Sequence, residues 1–426
     1  MSDQLSDQTK SMQEASREAL RAVRNTEFEP KGTHPLLAGV DLLDGHWYAA
    51  DPHAGWSWMR ENAPVYYDPN SDVWGVTRYD DVLHVSRTPE VFSAHDNIRP
   101  KTGHVPMMIS MDDPEHNNRR KLVNKGFTRR RVRDQEERLR AVADHLVDRM
   151  VEQDGECDFV WTVAAWMPLI AIADMLGFAP EDRQKLLEWS DLLLRGTEGD
   201  LDAMEEATQA FANFWAYQSG VIADRRANPR DDLISVLTQA EVDGERLDDE
   251  SLIWESLLIL IGGDETSRHV ISGALLALLE NPDQLAQLRA DPSLLPTAVE
   301  EFVRWVSPIK SMSRKVTQDT QLGGQEIPAG DEVLMFYASA NRDSARFDDP
   351  FTFDIHRDPN PHVAFGHGTH FYLGANLARL EITVMYEQLL SRIGSIELAV
   401  DPSELKIRPS GFTTGLENLP IRFTPA

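Results

Sequence analysis

The sequence predicts a mainly α-helical protein with small β-sheets, an α+β class, and three observations carry that expectation. Beyond residue 129, apolar residues recur at spacings of three and four, over 139–146 and again over 186–194, which is the period of an amphipathic helix. The β-prone runs are short and flank this helical middle: Val65-Tyr66-Tyr67 and Val73-Trp74-Gly75-Val76-Thr77 early, Val333-Leu334-Met335-Phe336-Tyr337 and Pro420-Ile421-Arg422-Phe423 late. No stretch rich in Gly, Pro or Ser divides the 426 residues, and no internal repeat is present. The chain therefore reads as a polar extension over 1–35 followed by one domain over 36–426.

The extension is polar and charged as far as Pro30, Lys31, Gly32 and Thr33, with a weak helical pattern over 13–23; it reads as loosely packed. Next, Asp68-Pro69-Asn70 supplies turn chemistry between the first two β-prone runs, which predicts a hairpin. Helices follow through the middle. Gly323, Gly324, Pro328 and Gly330 then mark turns ahead of the late β run.

Composition narrows the function. The chain has 42 basic and 70 acidic residues, a formal charge of −28, which opposes binding to nucleic acid or anionic lipid. Cys157 is the only cysteine, so there is no internal disulfide framework and no multi-cysteine metal site, as expected in a reducing compartment. Apolar runs stay short of a bilayer span: 159–173 contains Pro168, and 252–261 contains Glu255. The N-terminus lacks the pattern of a secretory signal. A cytoplasmic protein is the expectation.

Four segments could carry chemistry. In Phe365-Gly366-His367-Gly368-Thr369-His370-Phe371-Tyr372-Leu373-Gly374, three glycines among bulky residues predict a tight loop that brings backbone close to a flat ligand before a helix begins. An ordinary glycine-rich turn is the plain alternative, and a zinc site from His362, His367 and His370 a remote one, since the spacing is not that of a helical zinc motif. Gly262-Gly263-Asp264-Glu265-Thr266 weakens a helix and bares its backbone, or allows close packing. Glu301 and Arg304 stand at i and i+3 on one helical face, where they can pair. Residues 119–133 hold Arg119, Arg120, Lys121, Lys125, Arg129, Arg130, Arg131 and Arg133 with no acidic residue, a local reversal of sign whose default reading is a solvated helix face.

Residues 365–379 resemble the haem-binding loop of the cytochrome P450 superfamily, and the likeness extends over about residues 40–424. One position departs from it: the family's iron-ligating cysteine is replaced by Tyr372. The resemblance implies the P450 fold, haem b (iron protoporphyrin IX), dioxygen, and electrons from NAD(P)H through partner proteins. It implies that Gly262 and Gly263 give dioxygen room above the iron while Glu265 and Thr266 relay protons. Phe365, Gly366 and Gly374 would shape the loop, and Tyr372 would occupy the axial position of the iron. His116, Arg120, Arg314 and His370 match positions that meet the haem propionates. Glu301 and Arg304, with Asn341-Arg342-Asp343 and Phe353-Asp354, match the internal lock that holds the proximal loop. The basic segment matches the face where an acidic ferredoxin, served by its reductase, would dock.

Within the superfamily the chain is similar to actinobacterial enzymes that hydroxylate the terminal (C26/C27) carbon of a steroid side chain. Val105-Pro106-Met107-Met108-Ile109-Ser110-Met111-Asp112-Asp113-Pro114 and Gly155-Glu156-Cys157-Asp158-Phe159-Val160 are among the runs that carry this likeness. Ile109, Leu258, Val306, Ile309 and Phe412 would then line the pocket of a cholesterol- or cholestenone-like substrate. Tyrosine is a catalase-type ligand and a harder donor than thiolate. Three outcomes stay open: altered monooxygenase activity, peroxygenase or catalase-like chemistry, and a non-catalytic haem- or steroid-binding protein.

Overall fold

A computed structural model of the chain describes residues 28–96, 98–197, 203–242 and 244–426. Its axis is the 32-residue helix Asp249–Glu280, roughly 48 Å long at about 1.5 Å per residue. Asp248 caps its start by accepting from the Ser251 amide at 2.8 Å. Leu252, Leu257, Leu260, Ile271, Leu275 and Leu278 bury it along its length, as expected of a helix enclosed by neighbours rather than lying on a surface. Helices Trp166–Leu176, Leu295–Val306 and Ala375–Arg392 pack around it and share one apolar core.

The predicted hairpin forms, with Val65 opposite Val76 and Asp68 opposite Val73. It joins a five-stranded sheet whose order is Val65–Asp68, Val73–Val76, Glu332–Phe336, Ser311–Val316, Phe92–Ser93. The second and third of these run parallel and the other neighbours antiparallel. The late run Pro420–Pro425 is the middle strand of a second sheet, between Glu156–Asp158 and Ile393–Leu398. Gly323 and Gly324, at φ of 55° and 81°, turn the hairpin Thr320–Leu322 into Gln325–Ile327, the conformation that favours glycine in two-residue turns.

Residues 1–27 of the polar extension, including its helical pattern, lie outside the described residues. The end of the extension is fastened to the sheet: Lys31 pairs with Asp72 and Asp331, each at 2.7 Å, and Thr33 donates its amide to Gln325 at 2.8 Å.

Glu301 and Arg304 form a bidentate pair, Nε to Oε2 and Nη2 to Oε1 both at 2.7 Å, with neither residue exposed. Arg304 also donates to the carbonyls of Asn341 and Pro350 at 2.8 and 2.9 Å. Glu301 accepts from the Asp354 amide at 2.9 Å and from Asn360 at 3.1 Å. The pair thereby clamps residues 341–360 to the helix Leu295–Val306, and that segment leads into the glycine-rich loop.

Candidate haem and substrate site

The loop leaves residue 364 and reverses tightly. Gly366 and Gly368 have φ of 70° and 72°, and a side chain at Gly368 would collide with the Ser86 carbonyl, so backbone conformation and space both demand glycine there. The Tyr372 amide closes the turn on the Phe365 carbonyl at 2.9 Å. Gly374 passes the Tyr372 ring so closely that a Cβ would lie 3.1 Å from it, and the helix Ala375–Arg392 begins immediately after. Above the loop runs the central helix, unbroken through the two glycines. They do different work: Gly262 faces open space, whereas Gly263 has Ile172 within 3.1 Å of where its side chain would be.

A cavity of about 980 Å³ lies between helix and loop. Gly262, Gly263, Glu265 and Thr266 contribute to its wall from the helix, and Phe365, Gly366, His370, Tyr372 and Gly374 from the loop. Ile109, Leu258, Ile309 and Phe412 line it. Val306 does not: its side chain packs on the central helix, 2.8 Å from the Cβ position of Gly273, because the helix Leu295–Val306 turns its apolar face to that helix.

The basic residues converge at one side. The rings of His116 and His370 lie 4.3 Å apart, and Arg120 donates to the Thr369 carbonyl at 3.1 Å. Arg314 is buried on its strand and donates to the Ser313 carbonyl at 2.7 Å. Among the described residues neither arginine forms an ion pair, and the buried Nδ1 of His116 has no hydrogen-bond partner, Asp113 being 3.7 Å away. Burial, then Arg314, His116 and Arg120, hold His370 down at about 2. Burial likewise lowers Arg314 and Arg120. Buried positive charge without a carboxylate is costly, and a ligand bearing two carboxylates fits this cradle.

Tyr372 is half-buried, and its hydroxyl donates to the Gly262 carbonyl at 2.8 Å. Thr266 donates its own hydroxyl to the same carbonyl at 2.7 Å. The Tyr372 ring lies parallel to Phe365 at 5.9 Å. Burial pushes the phenol above its ordinary pKa, so in this position it keeps its proton. A flat ring needs roughly 3.5 Å of clearance on each face. The phenol bridges loop and central helix across the cavity, and a flat ring bound between the two would require it to rotate off Gly262.

Glu265 is buried in a knot of charge. It pairs with Arg268, lies 3.3 Å from His269 Nε2, and has Arg408 at 3.8 Å. Burial favours its neutral form, but Arg268 and His269 outweigh that and keep the carboxyl ionised; its neighbour Asp264 is pushed upward by burial. The cavity wall thus includes the sequence-selected residues of the loop and central helix together with His116, Arg120 and His370; Arg314 is buried on its strand without lining the cavity, and Val306 lies outside it.

Three features went unnoticed in the sequence. Phe211, Trp215 and Trp254, with ring centroids 5.1–5.8 Å apart, line the far end of the cavity; their only signal was an unusual density of aromatics in two helices. Glu255 is buried in the central helix, where it accepts from the Met108 amide at 2.9 Å and faces Arg119 at 3.4 Å. It had been read only as an interruption of an apolar run. The third is a separate cavity beside Arg342, treated below.

A long central helix over a glycine-rich loop that a buried Glu–Arg pair holds in place is the arrangement of a haem-dependent monooxygenase. The cytochrome P450 family model matches residues 171–403, and the chain belongs to the cytochrome P450 family of monooxygenases. It is 48% identical over 390 residues to the steroid C26-monooxygenase of Mycobacterium tuberculosis (strain ATCC 25618 / H37Rv), covering 91% of this chain and 98% of that one. It is 37% identical over 411 residues to the methyl-branched lipid omega-hydroxylase of the same organism, with coverages of 91% and 95%. Among solved structures, CYP109E1 from Bacillus megaterium in complex with corticosterone superposes with a TM-score of 0.80 at 35% identity, over 88% of this chain and 99% of that one.

Proposed function

We propose that the chain is a haem-dependent monooxygenase that hydroxylates the side chain of a steroid or a similarly long apolar molecule. The carrying observation is the cavity itself: one wall combines the basic side chains His116, Arg120 and His370 with the apolar Leu258, Ile309, Phe412 and the Phe211–Trp215–Trp254 group. An elongated apolar molecule with one end toward Gly262 matches that shape. The steroid and omega-hydroxylase names of the relatives support the same substrate class.

Haem b, when bound, supplies the iron centre at which dioxygen is activated. His116, Arg120, Arg314 and His370 would hold its carboxylates by charge-assisted hydrogen bonds, and Tyr372 would take the axial position. To do so it gives up both the Gly262 hydrogen bond and its proton, which burial makes harder. That rotation also frees one lone pair of the Gly262 carbonyl. Thr266 then stands beside the substrate, with ionised Glu265 next in sequence as a store for a proton. Electrons would come from NAD(P)H through a reductase and a ferredoxin docking at residues 119–133, where Arg129, Arg130 and Arg133 are exposed. Among the described residues no helix is long and apolar enough to cross a membrane, which supports the cytoplasm as the site of action. Residues 36–426 would act as one domain.

The bond from Tyr372 to Gly262 favours a second reading, a steroid-binding protein without turnover. One experiment separates the two. The reduced carbonyl complex of the haem-loaded wild type is expected to lack the thiolate absorption signature, and Tyr372→Cys to gain it together with steroid side-chain hydroxylation. A Tyr372→Cys protein that shows the signature, binds steroid and hydroxylates nothing would overturn the monooxygenase reading. A thiolate signature in the wild type would overturn the axial assignment.

A further inference from the structure

A second cavity, of about 480 Å³, lies away from the haem slot, between the start of the helix His53–Asn62 and the end of the helix Leu295–Val306. Its wall includes Arg342, which is 3% exposed. Two guanidinium hydrogen bonds go to the carbonyls of Arg304 and Trp305, at 3.1 and 2.9 Å, and three of its five donor hydrogens remain. Close by, Lys310 is held by the Val306 and Ser307 carbonyls, both at 3.0 Å, and Arg60 by Ser339 and Ser57 at 2.8 and 2.9 Å.

Among the described residues none of these three cations forms an ion pair. Glu301 is taken by Arg304 and Arg357. Asp343 accepts from the Tyr79 and Ala345 amides. Asp51, the one acidic residue on the wall, is exposed and accepts from the His53 amide at 3.1 Å. Burial and mutual repulsion accordingly lower Arg342 well below its ordinary value and bring Lys310 down to about 7.

Two further features face the same space. At the start of the helix His53–Asn62 the Asp51 carboxylate takes only the first amide, that of His53, and the N-cap Pro52 offers no side-chain acceptor, so the amides of Ala54 and Gly55 lack intrahelical partners. His53 lines the cavity, and its buried Nδ1 has no hydrogen-bond partner. Burial and the surrounding cations keep this ring neutral, leaving one nitrogen free to donate. Trp305, on which Arg342 stacks at 4.2 Å, and the half-exposed Phe351 form aromatic walls.

We propose that this cavity binds the phosphate group of a small aromatic phosphate ester, with Arg342, His53 and the first amides of the helix on the oxyanion and Trp305 and Phe351 against the ring. A phosphate supplies the negative charge that the buried cations lack, and the aromatic walls distinguish an ester from free phosphate.

The test is calorimetric titration of the full chain with phenyl phosphate, inorganic phosphate and phenol at constant ionic strength in chloride. Phenyl phosphate is expected to bind most tightly, inorganic phosphate more weakly and phenol not at all. His53→Ala should weaken phenyl phosphate about tenfold, the value of one charge-assisted hydrogen bond. Removing Arg342 itself would orphan two carbonyls, so the decisive variant is Ala54→Asp, which places a carboxylate at the mouth. It should abolish phosphate binding and raise the melting temperature in phosphate-free buffer. No binding of either phosphate above the chloride control, or undiminished binding in Ala54→Asp, would overturn the site. Equal affinities for the two phosphates would overturn the aromatic ester as its occupant.

Discussion

The lock at Glu301 and Arg304 and the cradle at His116, Arg120, Arg314 and His370 are both buried and both charged, yet they are built on opposite rules. In the lock, the carboxylate and guanidinium satisfy each other and the surplus donors go to backbone carbonyls of 341–352. In the cradle, among the described residues, neither arginine forms an ion pair: Arg314 reaches only a backbone carbonyl, and His116 Nδ1 has no hydrogen-bond partner, with Asp113 3.7 Å away. A closed set of charges is a folding device, because its desolvation is offset within the chain. An open set is a binding device, because the offset has to come from a ligand.

That contrast predicts its largest effect at the lock. Glu301→Gln leaves Arg304 buried without a counter-charge and replaces one of the two oxygens that serve the Asp354 amide and Asn360 by a donor. The expected loss is about 3–5 kcal/mol, read as a lower urea midpoint with an unchanged slope, or as insoluble protein. A midpoint within experimental error of wild type would break the distinction between the two regions.

Glu255 lies between the extremes, a buried carboxylate with one backbone amide and one distant arginine for partners. Burial raises it from 4.5 to about 7, against the pull of Arg119 and the Met108 amide. A carboxyl whose folded pKa is raised binds more protons folded than unfolded between these values, so stability falls as pH rises through that window. The contribution is at most about 3 kcal/mol. Glu255→Gln should flatten the fall in unfolding free energy between pH 4.5 and 7, measured by denaturant titration at each pH. An identical slope in the variant would show that Glu255 titrates normally.

How much of this was legible in the sequence follows from the same physics. The loop and the Gly262–Thr266 stretch of the central helix could be read because glycines at fixed offsets answer local demands of backbone space, as at Gly368 against Ser86. The first hairpin was legible from Asp68-Pro69-Asn70 and its flanking aromatics. Ser311–Val316 was not: Ser-Met-Ser-Arg-Lys-Val is too polar to announce a strand, and it is held by neighbours on both sides that lie close to it only in the fold. Val306 shows the converse limit. The family likeness placed it in the pocket with Ile309, which does line the cavity, whereas its side chain packs toward Gly273. The second cavity was invisible because its cations come from residues 60, 310 and 342, and no local pattern relates them.

The cradle supplies the last prediction, of opposite sign to that at the lock. Arg314→Leu removes a buried cation that forms no ion pair among the described residues, so without haem the variant should be as stable as the wild type or more so. With haem, one charge-assisted hydrogen bond to a carboxylate is lost, about 1.5–3 kcal/mol or roughly 10–100-fold faster transfer of haem to a scavenging protein. The two readings are independent. Destabilised apoprotein with unchanged haem retention would make Arg314 another part of the lock and remove the basis for calling this cluster a ligand site. Neutral or raised apoprotein stability with faster haem loss is the outcome that only an open set of charges explains.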